Sequence, residues 1–368
     1  MFPTDKMTKE EAMNPARQLA IATTMCILTM PQGVGARGAG TVSMSQAPAG
    51  DELGMARELG PATWGRCATH LSRPGVKVYE LSHVRSNTMP ISGLAGPFEI
   101  KYLPSVVLPQ TTHAFNFSVL TENSSPGQQG TQMDALGHFA YFDEAWDGTS
   151  PSHAEGGRYY GGLTQKDVKP TPDSPLLKLG MENVPPIVTT AVLLDARKHV
   201  NGGKPMSAGE VVTAQHLEAM LEAQGLRERG ILPGDVVLVY TGWSDHYRDP
   251  DTEKVYYSMA PGLSYDAAKY LGERRVVAAG LDTPFVDPVA EGQLAGNAGP
   301  PPGTPEGMPF AVHHHFLTQV GIHTLENLNL RELAQDQVST SCAIILPLRE
   351  KGGGGSPLRP VAIGVPGQ

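Results

Sequence analysis

Cysteine is scarce in this chain: Cys26, Cys67 and Cys342 are the three in 368 residues. They are too few and too scattered to form a disulfide framework, and no Cys-x-x-Cys pair offers a thiolate metal site or a redox motif. Positive charge is also short. Twenty-eight Lys and Arg stand against 37 Asp and Glu, a net charge of −9, so no basic field exists to gather phosphates and nucleic acid is not an expected partner. A membrane span needs roughly 20 apolar residues. The apolar run at residues 19–30 has only twelve, so no span is expected. No Gly-x-Ser-x-Gly is present, and a serine nucleophile elbow is not supported.

Glycine and proline are plentiful, at 42 and 32, which predicts many loops, where binding sites concentrate. With 40% hydrophobic and 18% charged residues the composition is that of a globular protein long enough to bury a substantial core. Residues 1–75 read as a leader and N-terminal arm, with the organised domain spanning 76–368. Within the leader, Arg17, the apolar run and Val34-Gly35-Ala36 resemble a secretory signal peptide over about 13–36, better still if translation starts at Met13. Such a peptide would make the protein periplasmic or secreted; an N-terminal tail or amphipathic arm would leave it cytoplasmic. Gly33 to Gly38 fits the G-x-G-x-x-G dinucleotide pattern, but no helix-forming run follows, and nicotinamide binding is rejected.

Past residue 75 the pattern becomes orderly. Residues 188–197, 235–243, 275–283 and 342–348 are apolar, β-branched runs bounded by turn residues, which predicts buried strands. Between the first two, Thr213 as cap, Leu217, Met220 and Leu221 on one face and a stop at Gly225 predict a helix of about three turns. Ser264 caps a similar stretch, with Ala268 and Leu271 on its apolar face. Strands alternating with helices imply an α/β architecture. The Pro/Gly-rich interval 284–309 is expected to form a loop over the site.

Two segments carry candidate chemistry. In residues 130–142 Asp134 and His138 lie four apart, and Gly130 and Gly137 predict a turn entering a short helix or irregular loop. Near the C-terminus His314 precedes Glu326 by twelve residues. Two carboxylates and two imidazoles suit one borderline divalent ion, Zn²⁺ or Mn²⁺. The triplet His313-His314-His315 cannot aim all three rings at one ion if extended. The His-x-x-Leu spacing ahead of Gly321-Ile322 and Glu326 selects His314. Glu326 has a competing reading as a helix cap. Asp282 ends a predicted strand and fits a structural role. Trp243 and His246 follow another strand and either line the pocket or sit in a solvated loop. Phe115, Phe117 and His113 are candidates for an apolar wall around a small cyclic or aromatic substrate.

From Val78 to Ile363 these motifs resemble those of the metal-dependent cyclase-like hydrolases, the family of bacterial kynurenine formamidase, isatin hydrolase and trans-dienelactone hydrolase. The family signature His-x-Gly-Thr-His-x-Asp-x-Pro-x-His aligns with Gln128 to His138; VYELSHVRSNTMP, GDVVLVYTGW, GLDTPFVDP and GSPLRPVAIG also match. The resemblance implies a single domain of the swivelling β/β/α type, with a mixed central sheet, flanking helices and a homodimer or higher homo-oligomer. It also implies metal ligands among Asp134, His138, His314 and Glu326. Both leading histidines of the signature are glutamines here, Gln128 and Gln132, and a neutral amide oxygen is a weaker ligand than imidazole. One metal rather than two is therefore expected. The resemblance implies a hydrolase that attacks an amide, lactam or lactone with metal-activated water. His138 serves there as ligand or general base, and Gln132 as oxyanion donor or weak ligand. The alternatives are a metal-free binding protein or degenerate enzyme, and a lyase or cyclase using a metal-polarised carbonyl.

Overall fold

The computed structural model describes residues 48–122, 129–147 and 153–367. The apolar run 19–30, the region 1–36 and Gln128 lie outside the described residues. In chain order the strands of the main sheet are β1 (Lys77–Glu80), β2 (Gln132–Asp134), β3 (Ile187–Asp195), β4 (Val236–Tyr240) and β5 (Ala278–Leu281). They are followed by β6 (His323–Glu326), β7 (Thr340–Ile345), β8 (Gly355–Pro357) and β9 (Val361–Gly364). Their spatial order is β1-β9-β7-β3-β4-β5-β6-β2-β8. The four central strands β3 to β6 are parallel, and every pairing outward from them is antiparallel. This is the α/β single domain with a mixed sheet that the sequence led us to expect.

Parallel strands are buried on both faces, which explains why the β-branched runs were continuous rather than alternating. Ala191, Leu193, Val236 and Leu238 point into one core, while Val192, Leu194, Val237 and Val239 point into the other. The crossovers cover the second face. Helix α2 (Ala214–Ala223) buries Leu217, Met220 and Leu221, and the Thr213 hydroxyl accepts from the His216 N–H at 3.2 Å. Helix α3 (Tyr265–Glu273) buries Ala268 and Leu271 and is capped by Ser264. Burying each large aliphatic side chain contributes about 1.5–3 kcal/mol, so these two stripes hold their helices to the sheet.

Two features add to what the sequence predicts. Helix α1 (Pro61–Leu71) belongs to the packed body and lies against β3 and β7, so the body begins upstream of residue 76. Cys67 on α1 is disulfide-bonded to Cys342 on β7, across 275 residues of chain. Spacing along the sequence carries no information about such a pairing, which tertiary packing alone creates.

Outside the main sheet, a two-stranded ribbon pairs Phe98–Tyr102 with Ser118–Glu122 and, beyond it, Val106–Val107 with Ala114–Phe115. Among the described residues no helix is long and apolar enough to cross a membrane.

Candidate metal centre

Strands β2 and β6 run antiparallel with Gln132 opposite Glu326 and Met133 opposite Leu325. The two-residue period of a strand sends Met133 and Leu325 into the apolar core and leaves Gln132, Asp134, Thr324 and Glu326 together on the other face. Asp134 and Glu326 are almost fully buried, at 1% and 2% exposure. The Thr324 hydroxyl donates to Asp134 Oδ2 at 2.7 Å, and the Gln132 amide donates to Glu326 Oε2 at 2.7 Å. After Asp134 the chain turns through a short 3₁₀ segment, Leu136–His138, as the glycines predicted.

The third member comes from the crossover between β5 and β6. A short helical segment, Ala311–His313, runs into a π-helical turn over His314–Val320, which ends at Gly321 in the left-handed region with φ 73°. His313 Nε2 lies 3.2 Å from Glu326 Oε1 and 3.5 Å from Asp134 Oδ2. Asp287 fixes that orientation. Its carboxylate lies 2.6 Å from His313 Nδ1 and accepts the backbone N–H groups of Val312 at 2.7 Å and His313 at 3.0 Å. With Nδ1 donating to Asp287, Nε2 is directed at the two other carboxylates, the usual way a second carboxylate orients a ligating imidazole.

His314, selected from the sequence, is not brought to the cluster. It turns toward Tyr141, edge-on at 5.2 Å, with Nδ1 3.4 Å from the Thr318 hydroxyl. The physical reason is that the triplet is helical: adjacent side chains point about 100° apart, so when His313 faces the two carboxylates His314 cannot. His315 packs against Tyr265 instead.

Electrostatics favour a cation among these groups. Burial and then the negative charge of Asp134 push the Glu326 carboxyl up to about 7. Burial alone would also raise Asp134, but the imidazoles of His138 and His313 hold it below the ordinary carboxylate range. Burial opposes protonation of His313, yet hydrogen bonds to Asp134, Asp287 and Glu326 raise it well above the ordinary imidazole value. Asp134 Oδ1 is buried with no hydrogen-bond partner among the described residues. A buried carboxylate oxygen left this way is costly unless something positive meets it. One donor atom each from Asp134, His313 and Glu326 lies within 4.8 Å of the others. Two carboxylates and an imidazole fit a borderline divalent ion and leave positions open for water and substrate.

The cluster opens into a cavity of about 280 Å³ whose lining includes His138, Phe139, Phe285, Phe310, Ser92 and Asn327. Pro284 and Phe285 bring the 284–309 interval into the wall. His138 lies beside the centre, its ring 6.4 Å from that of His313, and burial lowers its pKa so that it is held neutral. Asn327, in the left-handed region at φ 56°, donates to the Gly130 carbonyl at 2.9 Å. Three expected pocket residues are elsewhere. Trp243 is packed against Tyr256, its indole N–H donating to the Tyr256 carbonyl at 3.1 Å. Phe115 and His113 are exposed on the outer ribbon. Their apolar or aromatic character was legible, but not which surface would receive it. Asp287, Phe285 and Phe310 escaped the sequence reading; Asp287 lay within GLDTPFVDP, and its pairing with the histidine triplet was the missing signal.

Comparison with known proteins gives the family and the fold. A family model described as "Putative cyclase" matches residues 79–288. Kynurenine formamidase of Bacillus thuringiensis (strain Al Hakam) is 34% identical over 103 residues, 28% of this chain and 40% of the relative. The same figures hold for a kynurenine formamidase of Bacillus cereus. The alignment thus spans well under half of these relatives. A crystal structure described as a novel cyclase superimposes with a TM-score of 0.67 at 22% identity, covering 85% of this chain and 96% of that one. Isatin hydrolase A from Ralstonia solanacearum gives 0.51 at 23% identity, covering 81% and 95%. At these identities the two structures establish a shared fold.

Proposed function

The chain belongs to the cyclase family, and from that premise we propose that it is a metal-dependent hydrolase of a small amide, lactam or lactone. The observation that carries the reading is the buried Asp134–His313–Glu326 cluster opening into a cavity walled by Phe139, Phe285 and Phe310. A divalent ion held there would make water nucleophilic near neutral pH and polarise a carbonyl. The protein's own groups do the rest. Asp287 sets the His313 tautomer, and Gln132 and the Val286 N–H, at 2.7 and 3.1 Å, fix the two oxygens of Glu326. His138, held neutral beside the centre, takes the proton from attacking water and returns it to the leaving nitrogen or oxygen. The aromatic wall orients a flat substrate and keeps bulk water out.

The relatives named kynurenine formamidase and isatin hydrolase make an aryl formamide or a fused lactam the first compounds to try. Metal analysis of protein purified without chelator, combined with a screen of N-formylkynurenine, isatin and simple lactones under added Zn²⁺ or Mn²⁺, tests the reading. Turnover that depends on the metal and on His138 is expected. Absence of both metal and turnover would sink it. We also propose a homo-oligomer formed through the outer ribbon. Tyr102, Val107, Phe115, Phe117 and Leu120 are exposed there, with no Lys, Arg, Asp or Glu between Lys101 and Glu122.

A further inference from the structure

We propose that Gln132 is a positioning residue that closes the outer oxygen of Glu326, so that the centre accepts one divalent cation and no second. The inference rests on the metal reading above and concerns how this chain has built its site. Gln132 and Glu326 are directly opposed across the β2–β6 pair, and both side chains are buried, at 6% and 2% exposure. The register sets the amide against that carboxylate, and its Nε2 donates to Glu326 Oε2 at 2.7 Å.

The two oxygens of Glu326 are thereby given different tasks. Oε1 accepts the Val286 N–H at 3.1 Å and faces His313 Nε2 at 3.2 Å, on the side of Asp134. A carboxylate carries about four lone-pair sites, so Oε1 keeps one for a cation. Oε2 is turned away and meets the positive end of an amide dipole. A second cation reaching Oε2 would have to displace that N–H group and would find a neutral amide where a ligand is needed. The hydrogen bond also stops the carboxylate from rotating, which fixes the angle at which Oε1 is presented. Support of this kind, one step removed from a metal, is typically worth roughly 10- to 100-fold in affinity.

Titration of the full-length chain, freed of metal by dialysis against chelator, with MnCl₂ tests the proposal, read by calorimetry and by electron paramagnetic resonance. Wild type is expected to bind one Mn²⁺ per chain with the six-line spectrum of an isolated ion. Gln132→Met, which keeps the volume and removes the donor, is expected to retain one site with a dissociation constant raised about 10- to 100-fold. Gln132→His, which places an imidazole facing both carboxylates, is expected to move the stoichiometry toward two and broaden the spectrum through spin coupling. Two ions in wild type, or one ion in Gln132→His with native folding, would overturn it, as would an affinity unchanged in Gln132→Met. A wild-type protein that binds no Mn²⁺ would remove the metal reading itself. One that binds a single Mn²⁺ and responds at residue 132 as expected, yet hydrolyses nothing, would remove only the hydrolase reading and leave this inference standing.

Discussion

Two buried aspartates at strand ends of the central sheet differ in one respect. Asp282, just after β5, is fully buried and accepts five hydrogen bonds: the backbone N–H groups of Thr241, Gly242 and Ser244 and both hydroxyls of Thr241 and Ser244, all within 2.7–3.2 Å. Asp134, at the end of β2, has one oxygen satisfied by Thr324 and the other left without a hydrogen-bond partner among the described residues. The first cluster closes on itself and pins the β4 and β5 loops together. The second is left open toward a cavity and toward His313 and Glu326. Burial is the same in both. Incomplete hydrogen bonding sets the second apart, because a buried carboxylate oxygen left unpaired carries a cost that a bound cation would offset.

The largest effect should come from emptying the open cluster. His313→Ala is expected to lose most bound metal, and metal activation is worth several kcal/mol, or about a thousandfold or more in rate. His314→Ala should keep the metal and most of the activity, because its ring faces Tyr141. Metal content by mass spectrometry on the two purified variants checks the pair. The reverse result would return the ligand to the position that the spacing predicts.

The closed cluster should respond in stability instead. Asp282→Ala leaves five donors facing a void, and a buried donor without an acceptor costs about 1–3 kcal/mol before relaxation. A loss of several kcal/mol in denaturant unfolding is expected, with unchanged Mn²⁺ affinity in the fraction that remains folded. A variant that unfolds no more easily but binds metal poorly would mean that Asp282 serves the centre after all.

The contrast also explains what the sequence revealed and what it hid. Strand β3, helix caps Thr213 and Ser264 and the apolar faces of α2 and α3 are written in local patterns, and they were legible. Asp134 and Glu326 were candidates from the carboxylate–imidazole pattern and the family resemblance; the short strands that carry them, Gln132–Asp134 and His323–Glu326, were not predicted. His313 was hidden because three adjacent histidines carry no local sign of which ring a helical segment turns toward the carboxylates. Asp287 was hidden because its partner lies 26 residues away across the crossover loop. The Cys67–Cys342 bond was hidden for the same reason on a longer scale.

Two half-buried histidines outside the centre make a smaller, pH-dependent contribution. Burial lowers His83 and His315 from 6.5 to about 4. In the unfolded chain each would bind a proton at ordinary pH near 6.5, while the folded form refuses it until about 4. The unfolded state therefore holds more protons between these values, and stability falls as pH drops through that window. The slope is at most about 1.4 kcal/mol per pH unit for each group. Denaturant midpoints from pH 7 to 4 should fall accordingly, and His83→Phe should flatten the curve. A midpoint independent of pH over that range would show that both rings are solvated.

The smallest effect on catalysis is expected on the outer ribbon, the region least like the open cluster. Phe115 is 46% exposed and Val107 is 68% exposed, and neither lines the cavity. An isolated two-stranded ribbon is marginally stable in water, so its apolar residues are better explained by a partner surface than by folding of the body. Phe115→Ser combined with Val107→Ser should lower the solution mass toward that of one chain, measured by light scattering. Turnover per chain should stay within about twofold, because removing exposed apolar groups leaves the buried ligands and their hydrogen bonds untouched. A large loss of turnover together with the loss of mass would show instead that the ribbon of one copy helps to complete the pocket of another. In that event the aromatic wall described here would be only part of the substrate's surroundings.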